Sequence, residues 1–279
     1  MRVLITGAGG MLGTDVAAAA RSAGHEVVAV ARRGLDITDA AAVAQAVAEH
    51  APDVVLNCAA WTDVDGAEAD EPAATRVNGD GAGVLADGAP YLVHVSSDYV
   101  FPGDATAPYV ESDATGPVGA YGRSKLAGEH AVAAAGAQHA IVRSSWLFGP
   151  HGPNFVDTMR RLAAERDTLD VVADQIGCPT YTGHLAAALV GIAERRLAGI
   201  LHVAGSGSCS WHDLAAATFA RTGTSVELHP CTTAQFPRPA RRPAFSVLVT
   251  ERADAPRLPP WEEGLAAHLA SRPQEVVAP

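Results

Sequence analysis

The sequence predicts an α/β protein built on a doubly wound parallel sheet with a smaller C-terminal lobe, and three observations predict it. Short β-rich runs alternate with helical ones through the first 148 residues. The strand-like runs are apolar at consecutive positions, the pattern of strands covered on both faces by crossover helices. The first of them leads straight into a glycine-rich turn, GAGGMLG, and then a helix.

In chain order, residues 2–6 read as a strand, 12–23 as a helix, 26–31 as a strand, 40–49 as a helix and 54–57 as a strand. A helical stretch over 71–86, a strand over 91–96, a helix over 122–135 and a strand over 140–143 continue the alternation. After about residue 148 the pattern loosens. Residues 1–148 are therefore expected to form a dinucleotide-binding domain and 149–279 mainly a substrate-binding lobe, with about 199–205 returning to the sheet because 200–203 reads as a strand. PRPARRP (237–243) and PRLPP (256–260) are too rich in proline for a regular helix or central strand.

Composition narrows the function classes. Hydrophobic residues make up 48% and charged residues 18%, a globular balance. The net charge is −11 without a lysine- or arginine-rich block, so nucleic acid is not an expected partner and an anionic ligand needs a local positive site. No apolar run approaches the ~20 residues of a membrane span, and glycine arrives too early for a signal peptide, so a cytoplasmic protein with no membrane association is expected. Cys58, Cys178, Cys209 and Cys231 form no C-x-x-C pair, and the histidines include no H-E-x-x-H. Reduced cysteines and no metal site are expected, with His94 and His202 in core or surface roles.

Gly7, Gly10 and Gly13 are spaced three apart, with Met11 and Leu12 between the last two. Glycine lets a backbone approach a pyrophosphate closely, and the following helix offers free N–H groups and partial positive charge. Such a turn lets an acidic protein bind a dinucleotide. About twenty residues on, where an acidic residue would hold the adenosine ribose of NAD, stand Arg32 and Arg33, which suit a 2′-phosphate and point to NADPH.

YLVHVSS ends in Ser96 and Ser97, followed by Asp98 and Tyr99, at the carboxyl end of the fourth strand, where open α/β sheets bind ligands. Farther along, Tyr121 and Lys125 lie four apart on one helix face. Reduction of a ketone by hydride leaves an alkoxide that a phenol can protonate, so Tyr121 is the expected general acid. The Lys125 ammonium is expected to lower the phenol pKa, and the Ser97 hydroxyl to hydrogen-bond the same oxygen.

The segments GAGGMLG, LDITD, PDVVLNCAAWTDVDGAE, VSSDYVF, YGRSKLAGE, VRSSWLFG, DQIGCPT, LHVAGSG and PARRP together resemble the extended short-chain dehydrogenase/reductases, in particular the dTDP-4-dehydrorhamnose reductase family. The resemblance covers nearly the whole chain. It implies a Rossmann fold, NADPH with NADH also accepted, and reduction of the 4-keto group of a dTDP-linked 6-deoxysugar, for rhamnose or a related deoxysugar. It also implies catalytic roles for Ser97, Tyr121 and Lys125. Cofactor contacts fall on Ala59, Ala60 and Thr62, and on Asp36 and Ile37 near the adenine. Asp98, Tyr99 and Trp146 fall in the sugar site, with core packing as the other reading of Trp146. Arg241 and Arg242 either meet the nucleotide diphosphate or are solvated. Ser97 replaces a commoner threonine, and Trp61 and Gly66 stand where tyrosine or histidine and lysine are usual. Two other readings share the fold: a non-catalytic dinucleotide-binding subunit resembling the regulatory subunit of methionine adenosyltransferase, and a nucleotide-sugar epimerase or dehydratase. Besides the nucleotide sugar, the partner considered is a second copy of the chain, as a homodimer.

Overall fold

In the computed structural model, which describes residues 1–272, the strands in chain order are β1 (Arg2–Thr6), β2 (Glu26–Val30), β3 (Val54–Asn57), β4 (Tyr91–Ser97), β5 (Gln138–Ser144), β6 (Leu147–Phe148), β7 (Thr168–Val172), β8 (Ile176–Gly177), β9 (Thr180–Tyr181), β10 (Gly199–His202), β11 (Cys209–Ser210) and β12 (Glu227–Cys231). Residues 273–279, the end of the expected lobe, lie outside the described residues. The helices are α1 (Met11–Ser22), α2 (Ala40–His50), α3 (Val64–Ala69), α4 (Glu71–Thr75), α5 (Gly81–Gly88), α6 (Ala120–Ala134), α7 (Phe155–Glu165), α8 (Thr182–Arg195), α9 (Trp211–Thr222) and α10 (Trp261–Ser271).

Six strands form one parallel sheet in the order β10-β5-β4-β3-β1-β2. Alternate residues of each strand enter different cores. Val3, Ile5, Val54, Leu56, Tyr91 and Val93 pack toward α1 and α8. Leu4, Val55, Leu92 and Ile141 pack toward α2, α5 and α6. Both faces are apolar, so the strands read as continuous hydrophobic runs. β1 lies between β2 and β3, and the chain direction of travel across the sheet reverses there. Crevices for ligands open at the carboxyl ends of strands at such a switch point.

β5 is longer than its apolar centre. Its pairing with β4 runs from Tyr91↔Gln138 to Ser97↔Ser144, and the polar ends carry no hydrophobic signal. The helical stretch after residue 71 is interrupted by a π turn, Arg76–Asp80, which buries Asn78. From the second half of the chain, α8 joins the core on one sheet face and β10 pairs with β5 through Gly199↔Ala140 to His202↔Arg143.

Beyond that, β7 and β12 pair in parallel, and α7 and α9 cover them through Met159, Leu169, Val171, Ala215 and Phe219. Neither strand was marked by the sequence pattern. β12 contains Pro230, which a strand in a two-stranded ladder tolerates on its unpaired side. The two proline-rich segments form no helix or strand. No helix of the described residues is long and apolar enough to cross a membrane.

Candidate active site

The glycine turn sits at the switch point, and its geometry explains its composition. Gly7 has φ +67°, and a Cβ there would overlap the Cys58–Ala59 backbone at the end of β3. A Cβ on Gly13 would overlap the Gly7 carbonyl oxygen, so the turn closes only with glycine at both ends. The Gly10 N–H donates to that carbonyl at 2.9 Å, and Gly10 caps α1 without a side-chain acceptor or an acidic residue in the first turn. The first N–H groups of α1 thus remain free to meet a pyrophosphate. The residues present therefore fit a dinucleotide.

Around the turn, Met11 begins α1 and packs beside Gly152, while Leu12 is buried in the core. Ala59, Ala60 and Thr62 follow β3, with Ala59 N–H donating to Asn57 Oδ1 at 3.0 Å. Arg32 and Arg33 are exposed in the turn after β2. Asp36 accepts from Thr38 N–H and Oγ1 at 3.0 and 2.8 Å, hydrogen bonds that hold its carboxyl below the usual range. The Ile37 side chain is buried in the core over Gly81, because the LDIT turn tucks both apolar residues, Leu35 and Ile37, under α5, so its backbone is the part that faces outward beside Asp36.

The structure brings Ser97, Tyr121 and Lys125 together at the carboxyl end of β4. The Ser97 side chain lies beside the Tyr121 phenol and donates to Asp98 Oδ1 at 3.0 Å. Lys125, buried one helical turn on, donates from Nζ to the Val95 carbonyl at 2.7 Å. The expected electrostatics need correcting here. Burial pushes Tyr121 up to about 12, and the Asp98 charge adds to the rise while Ser97 opposes it. Burial pushes Lys125 itself down to about 8, opposed by Glu129. Desolvation wins because Lys125 has left water and is engaged with a backbone carbonyl, while Tyr121 is half-buried among apolar neighbours.

Asp98 is 2% exposed, and burial raises its carboxyl to about 7, against the pull of Ser246 and Ser97 beside it. Its Oδ2 has no hydrogen-bond partner among the described residues. Tyr99 packs edge-on to Tyr121, ring centroids 5.7 Å apart. Trp146 has φ +49°, a conformation that costs a bulky residue about 1 kcal/mol or more. There its indole stacks flat on Trp211, centroids 3.5 Å apart and 4° from parallel, with Gly177 leaving room for the ring. Trp146 is thus half-buried between the sheet and the second half of the chain.

Trp211 leads into a cavity of about 500 Å³, lined also by Phe155, Val172, Gln175, Arg238 and Arg241. Ser97, Tyr121 and Lys125 do not line it; Tyr99, packed on Tyr121, feels the charges of Arg242 and Asp65. Arg241 is exposed at the cavity. Arg242 is not solvated: Nη1 donates to Asp65 Oδ1 at 3.0 Å, and Arg238 holds Oδ2 at 2.6 Å. Despite some burial, these donors and the Ala240 N–H keep the Asp65 carboxyl well below its ordinary range.

Several residues here carried no sequence signal as site residues. Asn78 holds both the N–H and the carbonyl of Trp61 and reaches Ser124 Oγ, tying the end of β3 to α6. Glu129 and Arg143 are paired beneath the site, and Asp65, Gln175 and Trp211 shape the cavity. One signal was available: Lys125 is the only lysine in the chain, every other strong base being arginine. Among the described residues no group of three or more His, Cys, Asp or Glu could hold a metal ion.

A phenol and a serine hydroxyl facing one volume beside a dinucleotide cleft define a class, the dinucleotide-dependent carbonyl reductases. The chain belongs to the RmlD substrate binding domain family, whose model matches residues 1–273. It is 46% identical to the dTDP-4-dehydrorhamnose reductase of Mycolicibacterium smegmatis, over 97% of this chain and 85% of that protein. It is 44% identical to the dTDP-4-keto-6-deoxy-D-glucose reductase of Streptomyces niveus, over 88% of each. The crystal structure of the dTDP-4-dehydrorhamnose reductase of Bacillus anthracis in complex with NADP has a TM-score of 0.94 and 38% identity, covering 97% of this chain and 99% of that one.

Proposed function

We propose that this protein reduces the 4-keto group of a dTDP-linked 6-deoxysugar, with Tyr121 as proton donor and NADPH as cofactor. The observation that carries the mechanism is the gathering of the Ser97 and Tyr121 side chains at the end of β4, one helical turn from Lys125. A nicotinamide dinucleotide held by its pyrophosphate at the glycine turn would supply the hydride. Tyr121, protonated at neutral pH, gives its proton to the developing alkoxide, and Ser97 donates a second hydrogen bond to the same oxygen. Lys125 holds positive charge behind the phenol and stabilises the phenolate left by that transfer. Asp98 and Tyr99 face the sugar, and Trp146 forms the side of its site through the Trp211 stack.

The nucleotide occupies the 500 Å³ cavity, a volume within the usual range for small-molecule sites. Arg241 meets its diphosphate, while Arg242 shapes the approach from its place on Asp65. Arg32 and Arg33 hold the 2′-phosphate of NADPH. In this reading residues 1–148 carry the cofactor and 149–279 mainly the substrate, within a cytoplasmic enzyme. The test is NADPH consumption with a panel of dTDP-4-keto-6-deoxyhexoses, with and without a 3,5-epimerase, and the configuration of the product. Stoichiometric oxidation with one of them supports the assignment. Cofactor binding without consumption across the panel overturns it.

A further inference from the structure

A buried ion pair roughly breaks even for stability against well-packed apolar residues, so the pair beneath this site invites another role. Glu129 and Arg143 are 3% and 2% exposed. Arg143 donates from Nε and Nη2 to the two carboxylate oxygens of Glu129, at 2.9 and 2.7 Å. Its Nη1 meets His202 Nε2 at 3.4 Å, and its guanidinium lies over the Phe101 ring at 5.0 Å. His202 turns Nδ1 to the Val249 carbonyl at 2.9 Å, which leaves Nε2 as the acceptor for Arg143. Glu129 also accepts from Ser96 Oγ at 2.6 Å. The carboxylate is thus fixed by β4 and β5 together.

Tyr121, Lys125 and Glu129 follow one another at intervals of four along α6 and meet consecutive residues at the end of β4. Lys125 reaches the Val95 carbonyl and Glu129 the Ser96 hydroxyl, and Tyr121 lies beside Ser97. A small rotation of α6 would break both hydrogen bonds and displace Tyr121 at once. We propose that Glu129, clamped by Arg143, is a positioning residue for the reaction: it locks α6 against the end of β4 and supplies the counter-charge for Lys125. The inference rests on the reading of Lys125 as the positive charge behind Tyr121.

Among the other titratable groups around Lys125 only Cys58 also favours the ammonium, and it could do so only as a thiolate. Cys58, after β3, is pushed up to about 12 by burial and stays a thiol. His94, on β4, is held far below its ordinary value by burial, then by Lys125 itself, and stays neutral. Tyr121 is a phenol at neutral pH. Asp98, beyond Ser97, acts on Tyr121. Arg143, across Glu129, is a second cation, so loss of the carboxylate would expose Lys125 to an uncompensated like charge.

Because Lys125 is the only lysine in the chain, protein labelled with 13C at lysine Cε carries a single lysine signal, whose titration reads this ammonium directly. The wild-type midpoint is expected at about 8. Glu129→Gln keeps the shape and removes the charge, and should lower the midpoint by about half a pH unit or more, with the alkaline limb of kcat/KM for NADPH moving the same way. Glu129→Gln/Arg143→Met leaves no unpaired charge and covers the case in which the single variant does not fold. Its midpoint should also lie below wild type, by less than in the single variant. An unchanged midpoint in whichever variant folds overturns the proposal, since a merely structural pair would alter stability and not this titration. Lys125→Met separates the two readings. Wild-type turnover in that variant defeats the role of Lys125 itself, whereas lost turnover with an unmoved midpoint in the Glu129 variants defeats only the role given to Glu129.

Discussion

Tyr121 combines two properties that the sequence could not show together: it lies beside Ser97, and burial makes it a weaker acid than free tyrosine. A phenol held at about 12 is fully protonated at neutral pH and ready to donate in the direction of reduction. Tyr121→Phe should lower kcat roughly 10²- to 10⁴-fold while NADPH binding, followed by cofactor fluorescence, is little changed; near-normal turnover would make the phenol structural. Asp98 gives a prediction of a different kind. Its folded pKa of about 7 lies above the ordinary carboxyl value, so the unfolded chain loses this proton first as pH rises. The contribution of Asp98 to stability is therefore complete below about pH 4 and is lost progressively up to and through pH 7. Comparing wild type with Asp98→Asn by urea denaturation at pH 5 and pH 8, wild type should lose more stability on going to pH 8, by up to a few kcal/mol. Parallel behaviour of the two proteins would show that Asp98 is ionised throughout.

At the scale of elements, the β1–α1 turn is the most constrained piece of backbone in the site. Gly13 lies inside α1, where glycine is disfavoured by about 1 kcal/mol relative to alanine, so its presence calls for a steric reason. That reason is the Gly7 carbonyl, which a Cβ at position 13 would overlap. Gly13→Ala should thus reverse the usual helix preference, lowering the melting temperature and weakening NADPH binding at least tenfold as the turn is forced open. An alanine variant that is more stable and binds normally would mean that the turn relaxes freely. The π turn Arg76–Asp80 is a second device at this scale. It directs Asn78 onto Trp61 and Ser124, so the segment after β3 and the catalytic helix share one hydrogen-bonded support.

At the scale of the whole molecule, Asp65 at the start of α3 clasps the proline-rich segment of the second half of the chain through Arg238, Ala240 and Arg242. Asp65 and Arg242 are shielded enough from water to matter, whereas Arg238 is half exposed and adds less. Because the carboxyl pKa is depressed by these donors, the clasp stabilises above the ordinary carboxyl range and weakens only as the pH falls well into acid. Asp65→Ala leaves Arg242 without its partner and should cost about 1 to 3 kcal/mol, with KM for the nucleotide sugar raised several-fold and KM for NADPH nearly unchanged. Equal effects on both substrates would show that the clasp supports the fold as a whole.

The amino-acid sequence by itself determined the α/β class, the succession of strands and helices along the first half of the chain and the position of the glycine turn, because these follow from local pattern: apolar runs, helical spacing and residues that alone permit a given backbone. It also placed Tyr121 and Lys125 on one face, since a spacing of four is a property of any helix. Only the tertiary structure decided which groups meet them. Ser97 lies beside Tyr121 because β4 and α6 pack together, and Glu129 and Arg143 lie fourteen positions apart on different elements. The short strands β7 and β12, joined across a long separation, carry too little pattern to read alone. Acid strength was likewise decided by the fold. The sequence puts an ammonium near a phenol and so predicts a lowered pKa, whereas packing buries Lys125 and half-buries Tyr121, and desolvation outweighs the charge.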